Sequence, residues 1–228
     1  MTTEEYAPGR SADLYGDPSH ASVLLWHGMQ SNARASVRLL AEAVAGHGLS
    51  VVAPDWDSHA QDGGRADLLG SLEFARSRAA NPDGLVLVGW SLGGAAAAGV
   101  TLQAAHLEVV LAHTVCLAGA FTASDPVSGN RLTDTLPTAG GGSPFTLLHG
   151  TADDVVPVTA SRAFAAQLES IGWPVELVEL DTDHGAIAGA RYDEAGDRYL
   201  AADDAQTRRV VADVAARIAA VTGQHPAA

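Results

Sequence analysis

One serine in this chain stands where a nucleophile could. Residues 86–100 read VLVGWSLGGAAAAGV, which places Ser91 between Gly89 and Gly93, after a strand-forming run and before a run of alanines. A serine hydroxyl is a weak nucleophile until a base takes its proton, and it must project clear of the backbone to reach a carbonyl. A sharp turn from strand to helix projects it, and glycines two before and two after let the strand and helix pass closely. Residues 85–88 supply the strand and 92–103 can supply the helix. The helix start puts the Leu92 N–H at the positive end of a helix dipole, where an oxyanion is stabilised. The chemistry implied is acyl transfer. It needs a base, and nine histidines compete for that role.

The elements that would hold these groups alternate along the chain. Short runs rich in Val and Leu at 22–27, 49–54, 85–88, 109–117, 145–149 and 175–180 read as buried strands. Between them Val37, Leu40, Ala41 and Val44 share one helical face, as do Phe164, Leu168 and Ile171. Val210, Val211, Val214, Ile218 and Val221 form a third such face, and Gly48 and Gly172 stand where left-handed caps fall. Six strands alternating with helices predict an α/β fold, a mainly parallel sheet covered on both faces. Two segments break the rhythm, 121–143 and 184–203. Each follows the carboxyl end of a strand, where open α/β sheets bind ligands. No repeat or internal boundary divides the chain, so 1–228 reads as one domain, with 1–20 an N-terminal extension and 224–228 a flexible tail.

Composition removes other chemistries. The formal net charge of −14 argues against nucleic acid and anionic membranes as partners. All 13 basic residues are arginine, which leaves no lysine nucleophile, Schiff base or P-loop lysine. The alanine and arginine bias reads as the coding bias of a GC-rich bacterium. No apolar run approaches the roughly 20 residues of a membrane span. The start, MTTEEYAPGR, lacks the basic and apolar regions of a signal peptide, and the single cysteine, Cys116, cannot form an internal disulfide. These features predict a cytoplasmic protein, with Cys116 an inert buried thiol. Neither a metal nor a cofactor is expected, because Asp181, Asp183 and His184 lack a second group of ligands. Monomer and homodimer both remain open.

Four motifs in order resemble the α/β-hydrolase superfamily, within it the small cap-less members similar to dienelactone hydrolases and carboxylesterases. They are His27-Gly28-Met29, Gly89-Trp90-Ser91-Leu92-Gly93-Gly94, Asp153 within GTADDVVP at 150–157, and His184-Gly185. The resemblance implies a three-layer fold without a helical cap and a triad running Ser, acid, His along the chain. Five histidines follow Ser91. His106 falls at the end of the helix after the serine, His113 in a strand, His149 before the acid and His225 in the tail. His184, just after the strand at 175–180, is the base that this order leaves.

The acid implied is Asp153, in the family's Gly-x-x-Asp-x-x-Val-Pro position, with Asp154 its competitor. Asp153 stands nearer the strand end; Asp154 stands nearer the helix entered at Pro157, where it could cap. The resemblance adds the Met29 N–H as a second oxyanion donor beside Leu92, with His27 orienting the loop. Dienelactone hydrolases carry cysteine where Ser91 stands; haloalkane dehalogenases and epoxide hydrolases carry aspartate there. The chain begins near the family's third strand, so the first antiparallel pair is expected to be missing or rudimentary. The site is expected to be open, with Trp26, Trp56, Trp90 and Phe121 lining an apolar acyl pocket. Arg34 and Arg131 could meet a substrate carboxylate, with Asp57 and His59 at the rim. The function implied is a serine hydrolase acting on a small-molecule ester or thioester. The same triad would serve an acyltransferase or peptidase, and the fold alone would serve a ligand-binding protein.

Overall fold

The computed structural model describes residues 1–138 and 140–223, so the expected tail at 224–228, with His225, lies outside the described residues. Eight strands form one sheet: β1 (Thr2–Ala7), β2 (Arg10–Tyr15), β3 (Ser22–Trp26), β4 (Ser50–Pro54), β5 (Val86–Trp90), β6 (His113–Leu117), β7 (Phe145–Gly150) and β8 (Val175–Leu180). Their order is β1-β2-β4-β3-β5-β6-β7-β8. β1 and β2 pair antiparallel, β2 pairs antiparallel with β4, and all other neighbours are parallel.

The layers follow from alternation along the strands. Val23 and Leu25 of β3, with Val86, Val88 and Trp90 of β5, pack under α1 (Arg38–Ala45) and α5 (Ala205–Val221). Leu24, Trp26 and Leu87 point the other way, against α2 (Arg65–Arg78) and α3 (Leu92–Leu102). Phe145 and Leu147 of β7 extend that second face beneath α4 (Thr159–Ser170). Strands covered on both sides read as unbroken apolar runs, which is why β3 to β7 stand out in the sequence. Gly48 and Gly172, with φ of 77° and 73°, end α1 and α4 in the left-handed conformation that those positions predict.

The N-terminus corrects the expectation. The antiparallel pair is present and complete, six residues in each strand, and it raises the sheet from about six strands to eight. It was hard to read because an edge hairpin needs little apolar content: β1 buries no residue fully. The readable signal was the Pro8-Gly9 turn, with Gly9 at φ 72°, between two short runs. Tyr6 ties the hairpin down, its hydroxyl donating to the Asp55 carbonyl at 2.5 Å and its ring lying 6.0 Å from Phe74. α2 also escaped the periodicity, since its buried stripe is only Leu68, Ser71, Leu72 and Ala75. Within 109–117 only His113–Leu117 pairs as strand. The segment 184–203 is not a loop but a 3-10 turn (Ala186–Ala188) and a separate hairpin, β9 (Ala190–Asp193) with β10 (Arg198–Ala201).

The sheet order decides where a site can form. β4 lies on one side of β3 and β5 on the other, so the connections leaving β3 and β5 diverge and open a crevice at their carboxyl ends. Residues 27–33 and Ser91 both sit there. Above β6 the chain runs from 118 to 144 with one 3-10 turn, Leu132–Asp134, and no helical cap among the described residues. No helix among them is long and apolar enough to cross a membrane.

Removing the Tyr6 hydroxyl leaves the buried Asp55 carbonyl without that donor. Tyr6→Phe is expected to cost about 1 kcal/mol of stability with an unchanged denaturant slope, as read by urea unfolding.

Candidate active site

Ser91 is held at φ 56° and ψ −118° between β5 and α3, a conformation that L-residues rarely adopt. Two glycines make it possible. A Cβ on Gly89 would lie 2.1 Å from the Gly93 carbonyl oxygen, and one on Gly93 would lie 2.3 Å from that of His27. The Ser91 N–H donates to Leu117 O at 2.9 Å, and the Ser91 carbonyl accepts from the Ala95 and Ala120 N–H groups at 3.2 and 3.0 Å. The turn is therefore pinned to β6 and α3 at once, and the half-buried side chain stands clear of both.

The loop after β3 lies against this turn. Gly28 packs so close that a Cβ there would meet the Ser91 Cβ at 3.2 Å. His27 is fully buried; its Nε2 accepts from the N–H groups of Ala33 and Trp56 at 3.2 and 3.3 Å. Nδ1 therefore carries the proton and donates to Gly28 O at 2.8 Å. Burial keeps this ring neutral, lowering its pKa to about 4. Tying the Gly28 carbonyl back to His27 turns the opposite end of the same trans peptide, the Met29 N–H, the other way. Neither that N–H nor the Leu92 N–H donates to a protein group among the described residues. Trp56 backs the arrangement, stacked on His27 at 5.3 Å with its Nε1 donating to His27 O at 3.2 Å.

Behind the turn sits a chain of buried polar groups. Asp153 Oδ2 lies 2.7 Å from His184 Nδ1, so that nitrogen is the protonated one and Nε2 is left free. Asp153 Oδ1 accepts from the Val155 and Val156 N–H groups at 2.9 and 2.8 Å. His149 approaches from the other side, its Nε2 3.3 Å from Asp153 Oδ2 and 2.8 Å from Val156 O. A carbonyl only accepts, so His149 Nε2 carries the proton, and Nδ1 accepts from Ser161 Oγ at 2.6 Å. Burial alone would raise the Asp153 pKa; hydrogen bonds from His149, His184 and the Val156 N–H outweigh it and hold the carboxyl well below the usual range. His184 is 3 % exposed and is reached from the turn through Trp90, whose Nε1 donates to His184 O at 2.8 Å. Among the described residues no hydrogen bond joins Ser91 Oγ to His184.

The structure thus sets the loop carrying Met29 against Ser91 and Leu92, and packs His184, paired with Asp153, against Trp90, the residue before Ser91. Asp154 is exposed and does not cap α4, which begins two residues beyond Pro157 with no side-chain cap, while Asp153 takes the Val155 and Val156 N–H groups. His149 is the partner that sequence reasoning missed in this role, although its place four residues before Asp153 was a usable signal. Several expected lining residues lie elsewhere. Trp26, Trp56 and Trp90 are fully buried supports, and Arg34 is paired with Asp13 at 3.0 Å and with Asp55. Phe121, stacked 4.2 Å from Phe164, borders a hollow of about 380 Å³ with Arg131, on the side of α4.

Two further hollows flank the site. One of about 420 Å³ opens beside His184, Asp183 and Arg191; another of about 410 Å³ opens beside Met29, His59 and Arg198. Tyr192 and Tyr199 of the β9–β10 hairpin line both and form the wall between them. Asp57 accepts from Ser31 Oγ at 2.5 Å, and His59 stands exposed at the mouth of the second hollow. Cys116 is buried in β6, where desolvation pushes its thiol pKa up. No group of three or more His, Cys, Asp or Glu among the described residues is placed to hold a metal ion.

Comparison with known proteins agrees with this architecture. A thermophilic esterase from the Planctomycetes species Thermogutta terrifontis, in its propionate-bound form, superposes with a TM-score of 0.73 at 19 % identity, over 97 % of this chain and 94 % of that one. The same organism's esterase 2 phosphorylated by paraoxon gives 0.72 at 20 % identity, over 94 % and 91 %. Its form phosphonylated by cyclosarin gives 0.74 at 19 %, over 97 % and 94 %. At such identities the likeness is one of fold. No curated protein matches the sequence. A sequence model described as the alpha/beta hydrolase family matches residues 23–227, from the first residues of β3 through the last helix, and the chain belongs to that family.

Proposed function

We propose that this protein is a serine hydrolase that cleaves an ester or thioester of a small molecule through an acyl-enzyme on Ser91. The observation that carries the reading is the 2.7 Å His184–Asp153 pair beside a serine held in a strained turn. A binding protein has no use for a buried histidine–carboxylate pair packed against the residue that precedes such a serine. In the first half-reaction Ser91 Oγ attacks the carbonyl carbon while His184 Nε2 takes its proton. The carbonyl oxygen becomes an oxyanion, held by the Met29 and Leu92 N–H groups, and the ionised Asp153 stabilises the imidazolium. The imidazolium then protonates the departing alkoxide or thiolate. In the second half-reaction His184 takes a proton from water, the hydroxide attacks the acyl carbon, and Ser91 leaves with the proton returned by His184.

The relative from Thermogutta terrifontis is modified by organophosphates, and the same capacity is proposed here for Ser91. The open crevice suits a small substrate, since no helical cap closes over it among the described residues. A cap-less site also suits water as the acceptor.

A fluorophosphonate probe should label the parent chain at Ser91, and Ser91→Ala should fold normally yet hydrolyse short-chain p-nitrophenyl esters several orders of magnitude more slowly. A parent chain that turns over amides in preference to esters would move the assignment to a peptidase. One that resists the probe would remove the catalytic reading altogether.

The two aspartates should fail differently. Asp153→Asn removes the acceptor that fixes the His184 tautomer and is expected to lower kcat by on the order of 10⁴. Asp154→Asn, at an exposed carboxylate, should leave kcat within about tenfold. Steady-state kinetics on both variants decides between them.

The Asp153 shift also sets a pH dependence. Its folded pKa is depressed, so its contribution to stability is present above the unfolded carboxylate value, about 4, and is lost as pH falls through the lower folded value. Thermal unfolding from pH 7 to pH 3 should show an acid loss of stability that is smaller in Asp153→Asn.

A further inference from the structure

We propose that Gln30 is a positioning residue, whose side-chain amide clamps the oxyanion loop to the β9–β10 hairpin and so sets the Met29 N–H relative to His184. The inference rests on the reading of Ser91 as nucleophile and goes beyond it to a residue outside the triad. Gln30 Oε1 accepts a hydrogen bond from the Tyr199 N–H, and Gln30 Nε2 donates to the Tyr199 carbonyl at 3.4 Å. The partners are 169 residues apart in sequence. Tyr199 sits in β10 opposite Tyr192 of β9. Its N–H and carbonyl both reach Gln30, so they face the open edge of β10, and the primary amide takes the place of a neighbouring strand's peptide.

Three features make this contact the one that fixes the donor. First, the loop is anchored on either side of it: Gly28 O is held by His27 at 2.8 Å, Ser31 Oγ donates to Asp57, and the Asn32 N–H donates to Trp56 O at 3.0 Å. Between those anchors the Gln30 amide provides the tie for Met29 and Gln30. Second, Met29 has its side chain 63 % exposed and cannot fix its own backbone by packing. Third, the far end of the clamp touches the support of the base. The Tyr199 ring meets Trp90 edge-on at 4.9 Å and lies 5.9 Å from the His184 ring. Burial, followed by the neighbouring carboxylates of Asp153, Asp154 and Asp183, raises the Tyr199 pKa to about 12, so the phenol stays neutral against that imidazole. One residue, Tyr199, is thus bonded through its backbone to the donor loop and packed through its ring against the base loop.

Loss of a whole oxyanion donor costs about 10²–10³ in kcat, so a displaced one should cost about 10- to 100-fold. The test uses Gln30→Met, of similar length without the amide, and Gln30→Ala, in the full chain. Each is assayed on p-nitrophenyl acetate and on p-nitrophenyl thionoacetate, whose sulfur accepts hydrogen bonds weakly and gains little from the donor. Both variants are expected to lose about 10- to 100-fold in kcat on the oxygen ester with KM within about threefold, and to lose much less on the thionoester. The oxygen-to-sulfur rate ratio therefore falls, while a fluorophosphonate still labels Ser91 completely. Parental kcat in both variants overturns the proposal. So do equal losses on the two esters, or variants that no longer fold, since either result assigns Gln30 to stability alone. Failure of the parent chain to hydrolyse esters or take the label is a separate outcome, which removes the Ser91 reading and this inference with it.

Discussion

The contact on which the site depends is between two stretches of backbone. α3 can start against β3 only because Gly93 has no side chain, its Cα lying where any Cβ would come to 2.3 Å from the His27 carbonyl. The same constraint repeats one turn earlier, between Gly89 and the Gly93 carbonyl. These two approaches force the strand-to-helix turn to be tight, and the tight turn puts Ser91 at positive φ. They also press the β3 loop onto the serine, so Ser91 and the loop that carries Met29 share one packing problem. A strained residue persists only where its surroundings over-determine it. Here β5, β6, α3 and the β3 loop all bond or abut Ser91 or its immediate neighbours.

The parallel order of the strands makes that contact productive. Because β3 and β5 are neighbours while their following connections leave in opposite directions, the loops at their carboxyl ends face each other across a crevice rather than stacking. Asp153 and His184 arrive from β7 and β8, further along the same edge. Asp153 is held charged by the groups around it: hydrogen bonds from two imidazoles and from the backbone N–H groups of Val155 and Val156 surround it and outweigh its burial. His149 and Ser161 continue that network inward, so the carboxylate is oriented from behind as well as from the side that faces His184.

How much of this could be read from the residues depended on burial. Strands β3 to β7 are covered on both faces, so their apolar runs were visible, and the elbow glycines marked the turn because no other residue fits. Asp153 was separable from Asp154 by its nearness to the strand end and by its place in a motif; in the folded chain the distinction is one of burial and direction. What escaped were elements stabilised by polar or aromatic contacts rather than by an apolar stripe. β1 and β2 lie at the sheet edge and are held by Tyr6 and an ion pair between Glu4 and Arg78 at 2.8 Å. The β9–β10 hairpin is held by Tyr192, Tyr199 and Trp90. The tryptophans misled for a related reason: large aromatics near a motif suggested a pocket, yet Trp56 and Trp90 spend both ring and N–H on orienting His27 and His184.

The same division explains why the substrate is less legible than the chemistry. The groups that make and break bonds are fixed by backbone and by buried partners, which leave compositional traces. The walls of the crevice are supplied by the hairpin and by the segment above β6, whose exposed side chains are set by no packing constraint. Arg191 and Arg198 of the hairpin line the two hollows that flank the site and Arg131 lines a third beside α4, while Arg34, near the loop after β3, is spent on Asp13 and Asp55. A guanidinium already paired with two carboxylates has little to gain from a third, whereas one facing a solvent-filled hollow retains its capacity for an anion. Recognition in this fold is therefore decided by residues that folding leaves free, and catalysis by residues that folding constrains.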